Sequence, residues 1–181
     1  MAEPSGHEIR RATPADYSAL RHLERRAFTE LGSAFYPLPD IECALDHFEG
    51  MSLRLIEEGH YFVLTDLQEN LLAGGGWSRG ELDYIRPEVS AHGENDSGVV
   101  RCVYVAPQYA RRGLGQKIMR RIEADALSAG LRQLTLTASK TAEMLYLRAG
   151  YTPGSYCDVR LPNGRVLPLR PMTKSLVSAS N

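Results

Sequence analysis

The residues best suited to chemistry lie between positions 103 and 116. Val103-Tyr104-Val105 reads as the end of a strand. A short loop follows, Ala106-Pro107-Gln108-Tyr109-Ala110-Arg111-Arg112, and Gly113-Leu114-Gly115-Gln116 opens a helix. The first turn of a helix leaves amide N–H groups without intrahelical acceptors, and the helix dipole adds partial positive charge. Glycines let a bulky anion approach the backbone closely. Arg111 and Arg112 bring fixed positive charge to the same point. Such an assembly suits a phosphate or pyrophosphate. The loop alone supports a structural reading equally well, in which Gly113 and Gly115 shape a tight turn and the arginines are solvated. It is not a Walker A loop, because no Gly-Lys-Ser/Thr follows, and this weakens an ATP-binding reading. The third glycine of a Rossmann fingerprint is also missing.

A second stretch lies one helix and one strand further on: Ser139-Lys140-Thr141-Ala142-Glu143-Met144-Leu145-Tyr146-Leu147-Arg148-Ala149-Gly150-Tyr151. Together the two stretches resemble the GNAT superfamily of acetyl-CoA-dependent N-acetyltransferases. That family pairs an Arg/Gln-x-x-Gly-x-Gly/Ala loop with a later Ala-x-x-Phe/Leu-Tyr-x-x-x-Gly-Phe/Tyr helix. Here the loop is Ala110 to Gly115 and the helix is Ala142 to Tyr151. The likeness extends from the opening IRRATPADYSAL to Met172-Thr173-Lys174, nearly the whole chain.

The resemblance implies a role for each matching residue. Arg111, Arg112, Gly113, Leu114, Gly115 and Gln116 would bind the pyrophosphate of CoA, mainly through backbone amides. Val103, Tyr104 and Val105 would hydrogen-bond the pantetheine arm along a strand edge. That strand would splay from the next, Gln133 to Ala138, and leave a slot for acetyl-CoA, the acetyl-donor cosubstrate. Tyr146 would stand near the CoA sulfur as proton donor. Two departures from the pattern stand out. Ala110 replaces the first Arg or Gln, which removes a side-chain contact. Ser139 or Thr141 stands where the family often carries Asn before the second helix. The implied reaction is direct attack of a primary amine on the thioester, the acceptor being a small molecule or a peptide. The rival reading is a non-catalytic acyl-CoA-binding sensor or interaction module on the same fold, since fold does not settle function. Retention of Tyr146 favours the enzyme.

Other residues carry weaker signals. Gly74-Gly75-Gly76-Trp77 reads as a close-packed or bulged strand with Trp77 in the core. The competing reading makes Trp77 a wall of the acceptor site. Tyr36, on a proline-rich loop, reads equally as an acceptor contact or as a surface aromatic. His92 and Glu94 could serve as a base, but a solvated charged loop accounts for both. Cys102 reads as a small buried hydrophobe rather than a nucleophile, since no His partner lies nearby in sequence.

The elements that must position these residues follow from periodicity and punctuation. His7–Arg11 is an opening strand. Thr13 and Pro14 start a helix carrying Tyr17, Leu20, Leu23, Ala27 and Phe28 on its core face, ended by Gly32. Ser33–Pro39 is a loop. Asp40 caps a second helix with Ile41, Ala44, Leu45 and Phe48 on one face, and Gly50 interrupts it. Tyr61–Thr65 and Leu71–Trp77 form a hairpin. Arg79–Gly98 is an exposed, mobile connection. Val99–Val105 is a strand, Leu114–Ala129 a helix, Gln133–Ala138 a strand and Thr141–Ala149 a short helix. Ser155–Leu161 and Arg165–Met172 form a second hairpin about Pro162-Asn163-Gly164. The expected fold is α/β: a mixed, mostly antiparallel central sheet flanked by helices, with one strand–helix–strand crossover.

Composition agrees with one ordinary domain. Of 181 residues, 43% are hydrophobic and 24% charged, enough to bury a core without staples. Residues 1–174 are expected to form the single acetyltransferase domain, with 175–181 as a flexible tail. The 21 Lys and Arg nearly cancel the 22 Asp and Glu. That balance argues against a general grip on nucleic acid or on an anionic membrane. No apolar run has the length of a membrane span, and MAEPSGHEIR lacks the apolar stretch of a signal peptide. Cys43, Cys102 and Cys157 are odd in number and widely spaced, which argues against a disulfide framework and a zinc site. The expected location is the cytoplasm. A sheet edge near the chain end could pair two copies into a homodimer.

Overall fold

A computed structural model describes residues 6–48, 50–79 and 96–176. Its strands are β1 (Glu8–Arg11), β2 (Tyr61–Thr65), β3 (Leu71–Ser78), β4 (Ser97–Val105), β5 (Gln133–Ser139), β6 (Thr152–Pro153), β7 (Cys157–Arg160) and β8 (Val166–Ser175). Its helices are α1 (Tyr17–Gly32), α2 (Leu38–His47), α3 (Leu53–Glu57), α4 (Leu114–Ser128) and α5 (Glu143–Arg148).

The strands form one sheet in the order β1-β2-β3-β4-β5-β8-β6, with β7 also paired to β8. Every pairing is antiparallel except β4 with β5. That parallel pair is joined through α4, the expected crossover. β2 is buried along its whole length because helices cover both faces of the sheet. Successive side chains point to opposite faces. Phe62 and Leu64 therefore meet Ile118, Met119 and Ile122 of α4, while Tyr61 and Val63 meet Leu20 and Leu23 of α1 and Leu55 of α3. A third apolar cluster packs Ile41 and Ala44 of α2 against Val159, Leu167 and Leu169 of the β7–β8 hairpin.

The triple glycine of β3 lets helices approach from both sides. A Cβ on Gly74 would lie 2.9 Å from Leu20 Cδ2, and one on Gly75 would lie 2.8 Å from Ile118 Cγ2. On Gly76 it would lie 2.5 Å from the carbonyl oxygen of His60. Opposite Gly75 the register with β4 shifts, so that Cys102 and Val103 face one residue. Cys102 adopts φ +49° at this bulge. A non-glycine residue there is strained, and bulges re-aim side chains next to functional sites.

The structure differs from the sequence-based expectation at several boundaries. α2 begins at Leu38 rather than after Asp40, with Pro37 at its N-cap. Pro39 fits inside the first turn because the amide it lacks would have no helical acceptor there. Asp40 is therefore a helical residue, not a cap. It is buried and paired with Arg165 Nε at 2.7 Å. A separate turn of helix, α3, follows Gly50, capped by Ser52 Oγ accepting from the Leu55 N–H. A 3₁₀ turn, Pro14–Asp16, precedes α1. Asp16 accepts from both Thr13 N–H and Thr13 Oγ. Most of the connection expected between Arg79 and Gly98, His92 and Glu94 included, lies outside the described residues, as do residues 177–181 of the expected tail. Ser97 and Gly98 themselves belong to β4.

Candidate active site

β4 and β5 start as neighbours and then part. Their pairing covers only Ser97↔Gln133, Gly98↔Leu134 and Val99↔Thr135. β5 nevertheless continues to Ser139, held by β8 up to Ser139↔Leu169. The edge of β4 from Val100 to Val105 thus has no β5 partner. A cavity of about 180 Å³ occupies the gap, bordered by both strands, by Glu24 and Phe28 of α1, and by Ala142 and Tyr146 beside and within α5.

The cradle residues lie where β4 runs out. Arg111 takes φ +63° and Gly113 φ +82°, left-handed conformations on either side of Arg112. The first backbone bond of α4 runs from Lys117 N–H to the Gly113 carbonyl. The amides of Leu114, Gly115 and Gln116 therefore have no helical acceptor. Arg111, Arg112 and Gly113 are exposed, and among the described residues nothing lies within 4 Å of a Cβ placed on Gly113. Unpaired amides, a helix N-terminus and two exposed guanidiniums make a surface that fits a pyrophosphate. Gly115 serves packing: a Cβ there would lie 2.9 Å from Leu145 Cδ1. Gln116 uses its side chain to donate from Nε2 to the Leu145 carbonyl at 2.8 Å, which docks α5 on α4.

Tyr146 is 7% exposed and borders the cavity. Its ring meets the edge of Tyr151 at a centroid distance of 6.0 Å. Among the described residues its hydroxyl has no hydrogen-bond partner. Burial pushes its phenol up, so it stays protonated at neutral pH.

A family model for the acetyltransferase (GNAT) domain matches residues 57–153, more than half of the chain. The chain belongs to the GNAT acetyltransferases. Among solved structures, a GCN5-related N-acetyltransferase from Rhodopseudomonas palustris is similar with a TM-score of 0.72, at 21% identity over 94% of this chain and 96% of that one. The PaiA N-acetyltransferase of Thermoplasma acidophilum, solved with coenzyme A, gives a TM-score of 0.71 at 14% identity over 94% and 99%. A putative acetyltransferase, yncA, of Salmonella typhimurium, solved with acetyl-CoA, gives 0.67 at 18% identity over 98% of each chain. These likenesses concern the fold. A comparison with curated proteins found no match. Acetyl-CoA fits this acetyltransferase as cosubstrate: the β4 edge that β5 leaves after Val99, the adjoining cavity and the open cradle suit an extended thiol arm ending in a pyrophosphate.

The remaining sequence-based candidates of the acetyltransferase divide clearly. Ser139 borders the cavity. Thr141 Oγ is buried without a hydrogen-bond partner among the described residues, 3.8 Å from the Cβ position of Gly32. Val103 and Val105 send their side chains into the α4-side core, while Tyr104 and Cys102 face the α1 side. Tyr36 is neither a surface aromatic nor part of the cavity lining. It is 5% exposed, accepts from Lys140 N–H at 2.7 Å and donates to the Pro168 carbonyl at 3.1 Å. It ties the α1–α2 link to β8 and to the turn before α5. Trp77 is fully buried away from the cavity. Its Nε1 donates to Asp125 Oδ2 at 3.0 Å and its ring stacks on His60 at 3.9 Å. These surroundings are those of a packing residue. Cys102 borders the cavity, but burial pushes its thiol up to about 12, which leaves it a poor nucleophile at neutral pH.

Glu24 is the site residue that the sequence did not single out. It is 2% exposed and borders the cavity. Its Oε1 accepts from Met51 N–H at 3.0 Å and from Tyr104 Oη at 2.9 Å, and its Oε2 accepts from Arg21 at 2.6 Å. The available signal was positional. Glu24 falls four residues after Leu20 and three before Ala27, inside the stripe that faces the core.

Proposed function

We propose that the protein is an N-acetyltransferase that moves the acetyl group of acetyl-CoA to a primary amine by direct attack. The observation that carries this reading is the parting of β4 from β5 after Val99 and Thr135, with a cavity in the gap and an anion cradle at the end of β4. Bound acetyl-CoA supplies an activated thioester.

The chain's own groups do the rest. The amides at the start of α4, with Arg111 and Arg112, hold the pyrophosphate. The edge of β4 beyond Val99, which β5 does not pair, offers N–H groups to the pantetheine arm and to the carbonyl oxygen, where developing negative charge is stabilised. Placing the amine against the carbonyl carbon accounts for much of the rate. The amine attacks in its neutral form, Tyr146 donates its hydroxyl proton to the departing sulfur, and the proton shed by the acylated nitrogen passes through water to restore the phenol. The retained proton of Tyr146, its place on the cavity and the lack of a competing partner among the described residues support that role.

The test is thiol release from acetyl-CoA over a panel of primary amines, with mass detection of N-acetyl product. Amine-dependent release supports the proposal. Binding of acetyl-CoA without transfer to any amine favours the non-catalytic sensor instead.

A further inference from the structure

Glu24 and Tyr104 make a wall of the cavity whose hydrogen-bonding sense is fixed. A phenol has one proton to give. Tyr104 gives it to Glu24 Oε1, because a carboxylate accepts and does not donate. Toward the cavity Tyr104 Oη is then an acceptor only. Glu24 adds negative charge behind it, held in place by Arg21 and by the Met51 N–H. The link between α2 and α3 is fitted to this carboxylate, since a Cβ on Gly50 would overlap Glu24 Oε1. Beyond this polar spot the cavity is walled by Phe28, Leu45, Phe48, Leu167 and Leu169.

We infer that Glu24 and Tyr104 form the subsite for the acceptor's ammonium group, and that the acceptor is a small primary amine with an apolar carbon body. This rests on the acetyltransferase reading above and names the substrate class that the same cavity takes. A protonated amine brings N–H donors and positive charge, which an acceptor-only hydroxyl backed by a carboxylate receives. An alcohol of the same shape brings one weak donor and no charge. The apolar walls hold the carbon body and disfavour one that must keep its own polar groups hydrated.

The experiment measures binding of three probes to the wild type, to Glu24→Gln and to Tyr104→Phe, by calorimetry without CoA. The probes are 2-phenylethylamine, 2-phenylethanol and ethanolamine. The wild type is expected to bind 2-phenylethylamine at least about tenfold more tightly than either other probe, the scale of one charge-assisted hydrogen bond. The preference of amine over alcohol should collapse in both variants. Tyr104→Phe keeps the ring and the strand, so it serves if Glu24→Gln folds poorly. Equal binding of amine and alcohol by the wild type overturns the inference, as does a preference that survives both substitutions. A melting-temperature rise with acetyl-CoA is recorded for all three proteins. Its absence from the wild type counts against the acetyltransferase reading and leaves the amine-to-alcohol comparison to stand or fall separately.

Discussion

Tyr104 Oη donates to Glu24 Oε1 at 2.9 Å and so fastens β4 to α1 at the wall of the cavity. The bond depends on the bulge two residues earlier. With Cys102 at φ +49° the strand slips register against β3, and Cys102 and Tyr104 both come to face α1. Val103 and Val105 meanwhile pack toward α4. The same strand thus belongs to the core on one face and to the site on the other, and beyond Val99 its far edge is not paired by β5.

Tyr146 is the first target for mutation. If it protonates the leaving sulfur, Tyr146→Phe removes the donor and keeps the ring packed against Tyr151. Turnover should fall by about 10²- to 10⁴-fold, the usual worth of a general acid. Acetyl-CoA affinity and the melting temperature should hardly change. Steady-state kinetics with a turned-over amine checks this, and wild-type turnover in the variant assigns the proton to another source.

The cradle makes a second prediction through Gly113. A β-branched residue at φ +82° is strained, which costs about 1–2 kcal/mol of stability. Its side chain also enters the open space above the unpaired amides. Gly113→Val should therefore lose more in CoA binding than in folding. Titration calorimetry with CoA and a denaturant melt, run on the same variant, separate the two losses. Dephospho-CoA should still bind the wild type, because the cradle is fitted to the pyrophosphate.

Much of this was legible in the sequence where local chemistry decides. Gly113, Arg111 and the start of α4 were readable because a left-handed turn before a helix leaves a signature in a few adjacent residues. The motif pointed to Tyr146, which lines the cavity. The triple glycine was legible as close packing, since small residues beside a large apolar one signal tight approach, while Trp77, also weighed as an acceptor wall, is buried in the core. Glu24 was not, because its importance comes from Tyr104, eighty positions away in sequence. Tyr36 failed as a surface aromatic for the same reason. Its partners, Lys140 and Pro168, meet it only through the tertiary fold. The start of α2 was missed because Pro37 and Pro39 read as a loop, although a helix tolerates proline in its first turn.

Gly76 tests how tightly β3 is enclosed. A Cβ there meets the His60 carbonyl oxygen at 2.5 Å and Tyr61 Cα at 2.8 Å, both backbone atoms that cannot move aside alone. Gly76→Ala should cost about 3 kcal/mol or more, at the upper end of overpacking effects. A urea melt reads the loss. A variant as stable as the wild type contradicts the described β2–β3 approach.

Acid stability should carry the mark of Asp16. Its hydrogen bond with Arg10, aided by Thr13, holds its carboxyl down at about 2, against an ordinary value of 3.8. A carboxyl lowered in the folded state stabilises above the unfolded value, and the contribution is lost as pH falls toward the folded one. The wild type should therefore lose stability between about pH 4 and pH 2 by an increment that Asp16→Asn lacks. Thermal melts of both proteins across that range give the comparison. Parallel curves contradict it.

Acetyl transfer to an amine in the gap between β4 and β5 is the proposed activity. Its most direct test is to follow free thiol and N-acetyl product together when the wild type, acetyl-CoA and 2-phenylethylamine are mixed. Thiol and N-acetyl-2-phenylethylamine should form in equal amounts, at a rate that depends on both reactants and falls sharply in Tyr146→Phe. Saturable binding of acetyl-CoA with no product from this amine or any other in the panel would contradict it.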